Sequence, residues 1–389
     1  MGNEDEAGPS LRRHAIERLR ALAARGLSRA VRPTLRQDGH RVLREGRELL
    51  SFSDNDYLGL SRDKAVCAAA ALAVRRHGAG AGASRLVTGG HPLHRALEER
   101  LADWKGMEDA VLFGSGYLAN IGVPGALMGD SDLILLDALS HACLHQGAHL
   151  SRAAVLTFPH NDVAALEALL ARERAAYRHV LIASEGVFSM DGDRAPLAAL
   201  RALADRHQAW LMIDDAHGFG VLGDGRGSVH EAGVRAEIAM GTLSKALGSV
   251  GGFVAADREV ADLVRQTARS HVYTTGLPPS AAAAALAALD RIRSDPDLTR
   301  RPLALARLFA ARVGLAEPQS PVVPLVLGRP EAALALQAAL EDEGFLVVAI
   351  RPPTVPEGTA RLRFSFSAAH CEADVLRLAD AVLSLRQAA

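Results

Sequence analysis

Apolar residues recur along this chain in two rhythms, one helical and one of short continuous runs. From Leu11 to Leu27, Ile16, Leu19, Leu22 and Ala23 fall at helical spacing between arginines and Gly26 stops the run, which predicts an amphipathic helix. Arg41 to Phe52 alternates into two short strands, and Asp54-Asn55-Asp56-Tyr57-Leu58-Gly59-Leu60 reads as a turn before the next helix. The glycine-rich stretch Gly78 to Arg85 either joins two helices or lines a channel. Pro92 to Lys105 is predicted helical, with Pro near its start and Gly106 past its end.

From Ala110 onward the rhythm changes to apolar runs separated by helical stretches: Val111–Phe113, Leu133–Leu136, Ala154–Phe158, Val180–Ala183, Trp210–Ile213, Ile238–Met240 and Gly252–Ala255. Such alternation predicts an α/β domain whose largely parallel sheet is covered on both faces. A helix over Pro279–Ser294 and a proline-punctuated linker then lead to a smaller α+β unit. That unit has strands near Val322–Leu327, Val347–Ile350 and Arg361–Ser365 and helices near Glu331–Glu343 and Glu372–Gln387. The expected division is an N-terminal helix and short strands over 1–52, a large domain over 53–295 and a small C-terminal domain over 296–389.

Ligands of parallel sheets sit at the carboxyl ends of the strands, and polar residues follow the runs at those places. Gly114-Ser115-Gly116-Tyr117, Ser140-His141, Ser184-Glu185, Asp214-Asp215-Ala216-His217 and Gly241-Thr242-Leu243-Ser244-Lys245 bring five strand ends toward one site. Composition narrows its chemistry. With 389 residues, 49% of them hydrophobic, the chain can bury a large core, and a formal net charge of −1 without a basic run argues against nucleic acid as a partner. Cys67, Cys143 and Cys371 have neither disulfide nor metal-site spacing, so no metal is predicted and a reducing cytoplasm is the expected location. Met1 to Glu6 is acidic and lacks an apolar core, so no targeting segment is expected. The apolar run Ser280–Leu289 is too short to span a membrane.

Among 44 Lys plus Arg, only Lys64, Lys105 and Lys245 are lysines. Lys64 and Lys105 stand in charged, helix-like surroundings and read as solvated surface residues. Lys245 stands among small residues at a strand end. A lysine amine in a poorly solvated pocket can become a neutral nucleophile, which a guanidinium cannot. Gly116 opens a predicted helix whose N-terminal N–H groups suit a phosphate, although a glycine turn with no ligand reads equally well. Asp214 ends an apolar strand, where a carboxylate needs a partner: a salt bridge, a cap, or the protonated ring nitrogen of a bound cofactor. Together, phosphate cradle, buried carboxylate and lysine amine are what pyridoxal 5'-phosphate requires.

On these residues, and on Ser53–Leu60, Gly116-Tyr117-Leu118-Ala119-Asn120, Ser140-His141-Ala142, His160-Asn161-Asp162 and Glu185–Asp193, the chain resembles the α-oxoamine synthases, from about Arg29 to Ala369. These are fold-type-I pyridoxal-phosphate enzymes with an aspartate-aminotransferase-like fold. The run Ala349–Pro356 with Gly358–Arg363 resembles the members that join L-alanine to pimeloyl-CoA or pimeloyl-acyl carrier protein. Thr242–Gly248 is closer to the glycine-using members, which stay open as an alternative beside a non-catalytic binding module, and Tyr117 stands where Phe is common. The resemblance implies that Lys245 holds the cofactor through a Schiff base, Asp214 pairs with its ring nitrogen and His141 stacks on the ring. His217 and Ser189 would face its phenolic oxygen, while Gly116, Tyr117 and Thr242 would hold its phosphate. Arg351 and Asn55 would take the amino-acid carboxylate. Thr354 and either Arg29 or Arg32 would lie nearer the acyl substrate. It also implies a homodimer with shared active sites, in which Thr274 and Thr275 reach the neighbouring subunit's phosphate. The alternative for those threonines is a helix cap.

Overall fold

Three short strands, β1 (Thr34–Arg36), β2 (Arg41–Arg44) and β3 (Arg47–Ser51), open the fold of a computed structural model that describes residues 10–387. The acidic Met1–Glu6 segment lies outside the described residues. Next come β4 (Asp109–Phe113), β5 (Leu133–Asp137), β6 (Ala154–Phe158), β7 (Val180–Glu185), β8 (Trp210–Asp214), β9 (Ile238–Thr242) and β10 (Gly252–Ala256). They form one sheet in the order β4-β10-β9-β8-β7-β5-β6, in which only β10 runs antiparallel to its neighbours. Every residue of β4, β5, β7, β9 and β10 is buried. Helices cover both faces, so these strands read as continuous apolar runs, not as alternation. The carboxyl ends of β4, β5, β7, β8 and β9 therefore share one edge of the sheet.

The smaller unit holds β11 (Val322–Gly328), β12 (Phe345–Leu346), β13 (Val348–Ile350) and β14 (Ala360–Ser365). The order β11-β14-β13 makes one antiparallel sheet, and β12 pairs parallel with β3 to extend the N-terminal strands. Leu50 and Phe52 consequently pack in the same core as Phe309, Phe345, Phe364 and Phe366.

Instead of a linker after Ser294, the chain forms an 18-residue helix, Pro296–Val313. The prolines mislead here. Pro296 sits in the first turn, where its missing N–H breaks no helical bond, and the Asp295 side chain accepts from Leu298 N. Pro302 lies inside the helix, where burial of Leu305, Ala306, Phe309 and Val313 outweighs the lost donor. The first helix, Leu11–Ala24, is capped by Ser10 and ends sooner than its apolar pattern suggests. No residue of it is buried, and Leu11, Leu19 and Leu22 stay exposed in the single chain. Among the described residues no helix is long and apolar enough to cross a membrane.

One clasp joins two strand ends to the loop carrying Ser189. His160, just past β6, lies 3.0 Å from Asp137 of β5 and 2.8 Å from Asp193, and Asn161 also donates to Asp193. Burial pulls the imidazole's pKa down, but the two carboxylates more than offset it and raise it to about 10. A pKa raised above the unfolded value of about 6.5 gives stability that is complete below that pH and lost as pH rises toward 10. Denaturant titrations of wild type and His160→Gln at several pH values are therefore expected to differ most near pH 6 and to converge above pH 10. A difference that does not depend on pH would contradict the ionic clasp.

Candidate active site

Lys245 sits in a short loop between β9 and β10, and the backbone around it leaves no slack. Leu243 N donates to Gly251 O and Ser249 N to Leu243 O. Gly248 has φ +62°, and a Cβ there would lie 2.1 Å from Ser61 N, so the loop sits hard against the turn that follows Tyr57. The side chain ends in a cavity of about 250 Å³ lined by Ser53, Asn55, His141, Ser189, Met190, His217, Lys245, Val348, Ile350 and Arg363. His141, Ser189 and Met190 also line a wider cleft of about 1120 Å³.

Lys245 Nζ lies 2.8 Å from His217 Nε2. Burial lowers the amine's pKa, opposed by the carboxylates of Asp214 and Glu185. Burial likewise drives His217 well below the usual histidine range, with the charge of Lys245 acting in the same direction, so its imidazole is neutral. Asp214, at the end of β8, is 4% exposed and has no cationic partner among the described residues. Its Oδ2 accepts from Asn120 Nδ2 at 2.6 Å and its Oδ1 from Ala216 N at 2.9 Å. Glu185 pairs in register with Asp214, and its Oε1 accepts from the backbone N–H of His141. Burial, with Asp214 beside it, raises the pKa of Glu185 well above the carboxylate range. His141 caps the helix Ala142–Leu150, and its Nδ1 lies 2.8 Å from the Cys143 thiol, whose pKa burial pushes up to about 12.

At the end of β4, Ser115 caps the helix Gly116–Leu127 by accepting from Leu118 N. A Cβ on Gly116 would lie 3.0 Å from Met240 Cε and 3.4 Å from Thr242 Oγ1, so this N-terminus packs closely against β9. Tyr117 is half exposed. Thr242 Oγ1 donates to Gly251 O and lies 2.8 Å from Ser244 Oγ. These groups suit a phosphorylated pyridine aldehyde: free helix N–H groups for an anion, a buried carboxylate without a cation, and an amine of lowered proton affinity.

The substrate-side residues fall in two places. Asn55 lies in the Lys245 cavity, where its Oδ1 accepts from Arg363 Nη2 at 3.2 Å. Arg351 does not line that cavity. It belongs with Arg29 and Thr354 to a neighbouring groove, where its Nη1 donates to Gly26 O and Arg29 Nη2 donates to Thr354 Oγ1 at 3.2 Å. Arg32 is tied at 2.7 Å to Glu45 and 3.0 Å to Glu341, whereas Arg29 makes no salt bridge among the described residues.

Three further features correct or extend the sequence reading. Lys105 is no surface residue. Its side chain is 2% exposed, its Nζ lies 2.8 Å from Asp215 Oδ2, and it also donates to Arg226 O. This pair, with Ser228, fixes the turn that carries Asp214 and His217, and a Cβ on Gly227 would fall 1.8 Å from the Asp215 carboxylate. Arg363 was not singled out as a site residue, although arginines at 361 and 363 of a fully buried strand were a visible signal. Thr274 and Thr275 do not cap the following helix, Pro279–Ser294, whose N-cap is Pro278. They line a small pocket beside Gly114.

The lysine, the carboxylate without a cation and the anion-ready helix end are the groups a pyridoxal-phosphate enzyme needs. The chain matches the aminotransferase class I and II family over residues 47–382 and belongs to that family, within it to the α-oxoamine synthases. It is 57% identical over 385 residues to an 8-amino-7-oxononanoate synthase of Maricaulis maris, covering 98% of each chain. It is 58% identical over 381 residues to a putative 8-amino-7-oxononanoate synthase of Caulobacter vibrioides, covering 98% of this chain and 99% of that one. Among solved structures, a serine palmitoyltransferase from S. paucimobilis with bound PLP superposes with a TM-score of 0.91 at 30% identity, over 98% of this chain and 99% of that one. An 8-amino-7-oxononanoate synthase from Francisella tularensis superposes with a TM-score of 0.74 at 25% identity, over 87% and 98%.

Proposed function

We propose that the protein condenses L-alanine with a pimeloyl thioester, on coenzyme A or acyl carrier protein, to give 8-amino-7-oxononanoate, CO₂ and the free thiol carrier, a step of biotin biosynthesis. The observation that carries this reading is the single cavity in which the Lys245 amine meets His217, Asn55 and Arg363, with the unpartnered Asp214 carboxylate close by. Pyridoxal 5'-phosphate is the cofactor. When bound it supplies the electron sink that makes loss of an amino acid's α-proton feasible.

Lys245 would be its attachment point, Asp214 would hold a proton on its ring nitrogen, and His141 would cover its ring face. Ser189 and His217 would serve its phenolic side, and Gly116, Tyr117 and Thr242 would hold its phosphate. Arg363, with Asn55, takes the alanine carboxylate in place of Arg351, because Arg363 reaches the Lys245 cavity. Its fork of donors fixes the carboxylate plane, and with it which bond to the α-carbon is labile. The freed Lys245 amine, its proton affinity lowered by burial, removes the α-proton. Arg29, Arg351 and Thr354 line the groove for the acyl substrate, where Arg29 makes no salt bridge among the described residues. The net change joins the alanine α-carbon to the thioester carbonyl carbon and releases thiol and CO₂.

The working unit in this reading is a cytoplasmic homodimer. Thr274 and Thr275 complete the partner's phosphate site, and the exposed stripe of the first helix is covered. Mixing Lys245→Ala chains with chains altered at both threonines is expected to restore one competent site per hybrid dimer. A mixture no more active than its parents would reject shared sites. The amino-acid choice is tested by proton NMR in heavy water without acyl donor. L-Alanine is expected to lose its α-proton signal faster than glycine, and exchange of glycine alone would overturn the substrate reading.

A further inference from the structure

Tyr57 belongs to none of the roles above, yet it is fully buried behind the catalytic lysine. Its hydroxyl lies 2.6 Å from His217 Nδ1, on the opposite edge of the ring from the Nε2 that meets Lys245 Nζ at 2.8 Å. A phenol has one hydrogen to donate, and two acceptors lie near it: His217 Nδ1 at 2.6 Å and Asn55 Oδ1 at 3.3 Å. The third neighbour, Arg363 Nη2 at 3.4 Å, can only donate, so it occupies a lone pair of the phenol oxygen and polarises the O–H bond outward. Assigned to the nearer of the two, that hydrogen lies on the line to Nδ1.

A neutral imidazole that accepts at Nδ1 carries its own hydrogen on Nε2. His217 is neutral because it is buried beside Lys245. Its Nε2–H then points at the lysine nitrogen. An unprotonated amine has a lone pair to receive it, whereas an ammonium has only donors. We propose that Tyr57 is a positioning residue that locks His217 in the Nε2–H tautomer and so holds the Lys245 nitrogen in its unprotonated, reactive form. The proposal rests on the reading of Lys245 as the attachment point. The other groups that face this nitrogen are Asp214 on β8, Glu185 on β7, His141 and Cys143 on the helix after β5, and Arg363 on β14. Asp214 and Glu185 favour a proton on Lys245 and Arg363 opposes one. Removing only the Tyr57 hydroxyl leaves Asp214, Glu185, His141 and Cys143 untouched and takes from Arg363 one long contact at 3.4 Å.

Without that hydroxyl the ring is free to take the other tautomer, whose Nε2 lone pair accepts from a protonated lysine nitrogen and raises its proton affinity. The test titrates the visible absorbance of the cofactor-bound enzyme against pH. In Tyr57→Phe the midpoint is expected to move upward by roughly one pH unit, the size that one lost hydrogen bond gives. In a His217→Gln background the same change is expected to add nothing, because the group through which it acts is gone. An unmoved midpoint, or an equal shift in both backgrounds, would overturn the proposal. Nitrogen NMR of labelled histidine in wild-type holoenzyme needs no Tyr57 variant to fold. His217, identified by its loss in His217→Gln, is expected to show a protonated Nε2 and a bare Nδ1, and the reverse pattern would overturn the tautomer. A wild-type protein with no visible cofactor band at any pH would instead remove the Lys245 attachment and both readings with it.

Discussion

Lys245→Ala and Lys245→Arg are both expected to abolish turnover while leaving a folded protein. Lys245 reaches an existing cavity and not the packed core, so its truncation removes an amine without opening a new void in the core. Arginine keeps the charge, but its guanidinium does not deprotonate and can neither attach the cofactor nor take a proton. Both functions are lost together, so the fall in kcat should exceed the roughly 10²–10⁴-fold that removal of a general base alone gives. Steady-state assay and borohydride reduction followed by peptide mass mapping check this. A reducible adduct in Lys245→Arg, or a few per cent of residual activity, would contradict the assignment.

Asp214→Asn is the second large effect. Asn is isosteric and can keep the contact to Ala216 N, so the fold and the Lys245 attachment survive. What disappears is the charge that Asn120 and Ala216 hold in place with no salt-bridge partner among the described residues. The interaction matters more once charge develops during α-proton removal than before it. Binding of cofactor should therefore change little, while α-proton exchange of L-alanine falls by orders of magnitude. Exchange near the wild-type rate would reject the role.

The central sheet was legible because burial on both faces makes β4, β5, β7 and β9 uninterrupted apolar runs, each followed by polar residues at its carboxyl end. Lys245, Asp214, His141 and His217 stood out for the same reason, a polar side chain directly after an apolar strand or in the turn beside it, whereas Asn55 was named only through the family resemblance. The misses are long-range. The neighbours of Lys105 in sequence describe a solvated helix end, but its partner Asp215 lies 110 residues away, across the back of the site. Arg363 belongs to the smaller unit and enters the Lys245 cavity only when β14 packs beside Asn55 and Tyr57. Arg351, in a motif that drew more notice, comes to rest in the neighbouring groove. The helix Pro296–Val313 was hidden by prolines whose local cost is met by packing of residues that come together only in the folded core.

The central claim is decarboxylative condensation at Lys245, and mass spectrometry of the products tests it most directly. Purified protein with pyridoxal 5'-phosphate, L-alanine and pimeloyl-CoA is expected to form 8-amino-7-oxononanoate with one free thiol and one CO₂ per product, and Lys245→Ala none. Amino-ketone formation from glycine but not alanine, or thiol release with no amino ketone, would contradict the account.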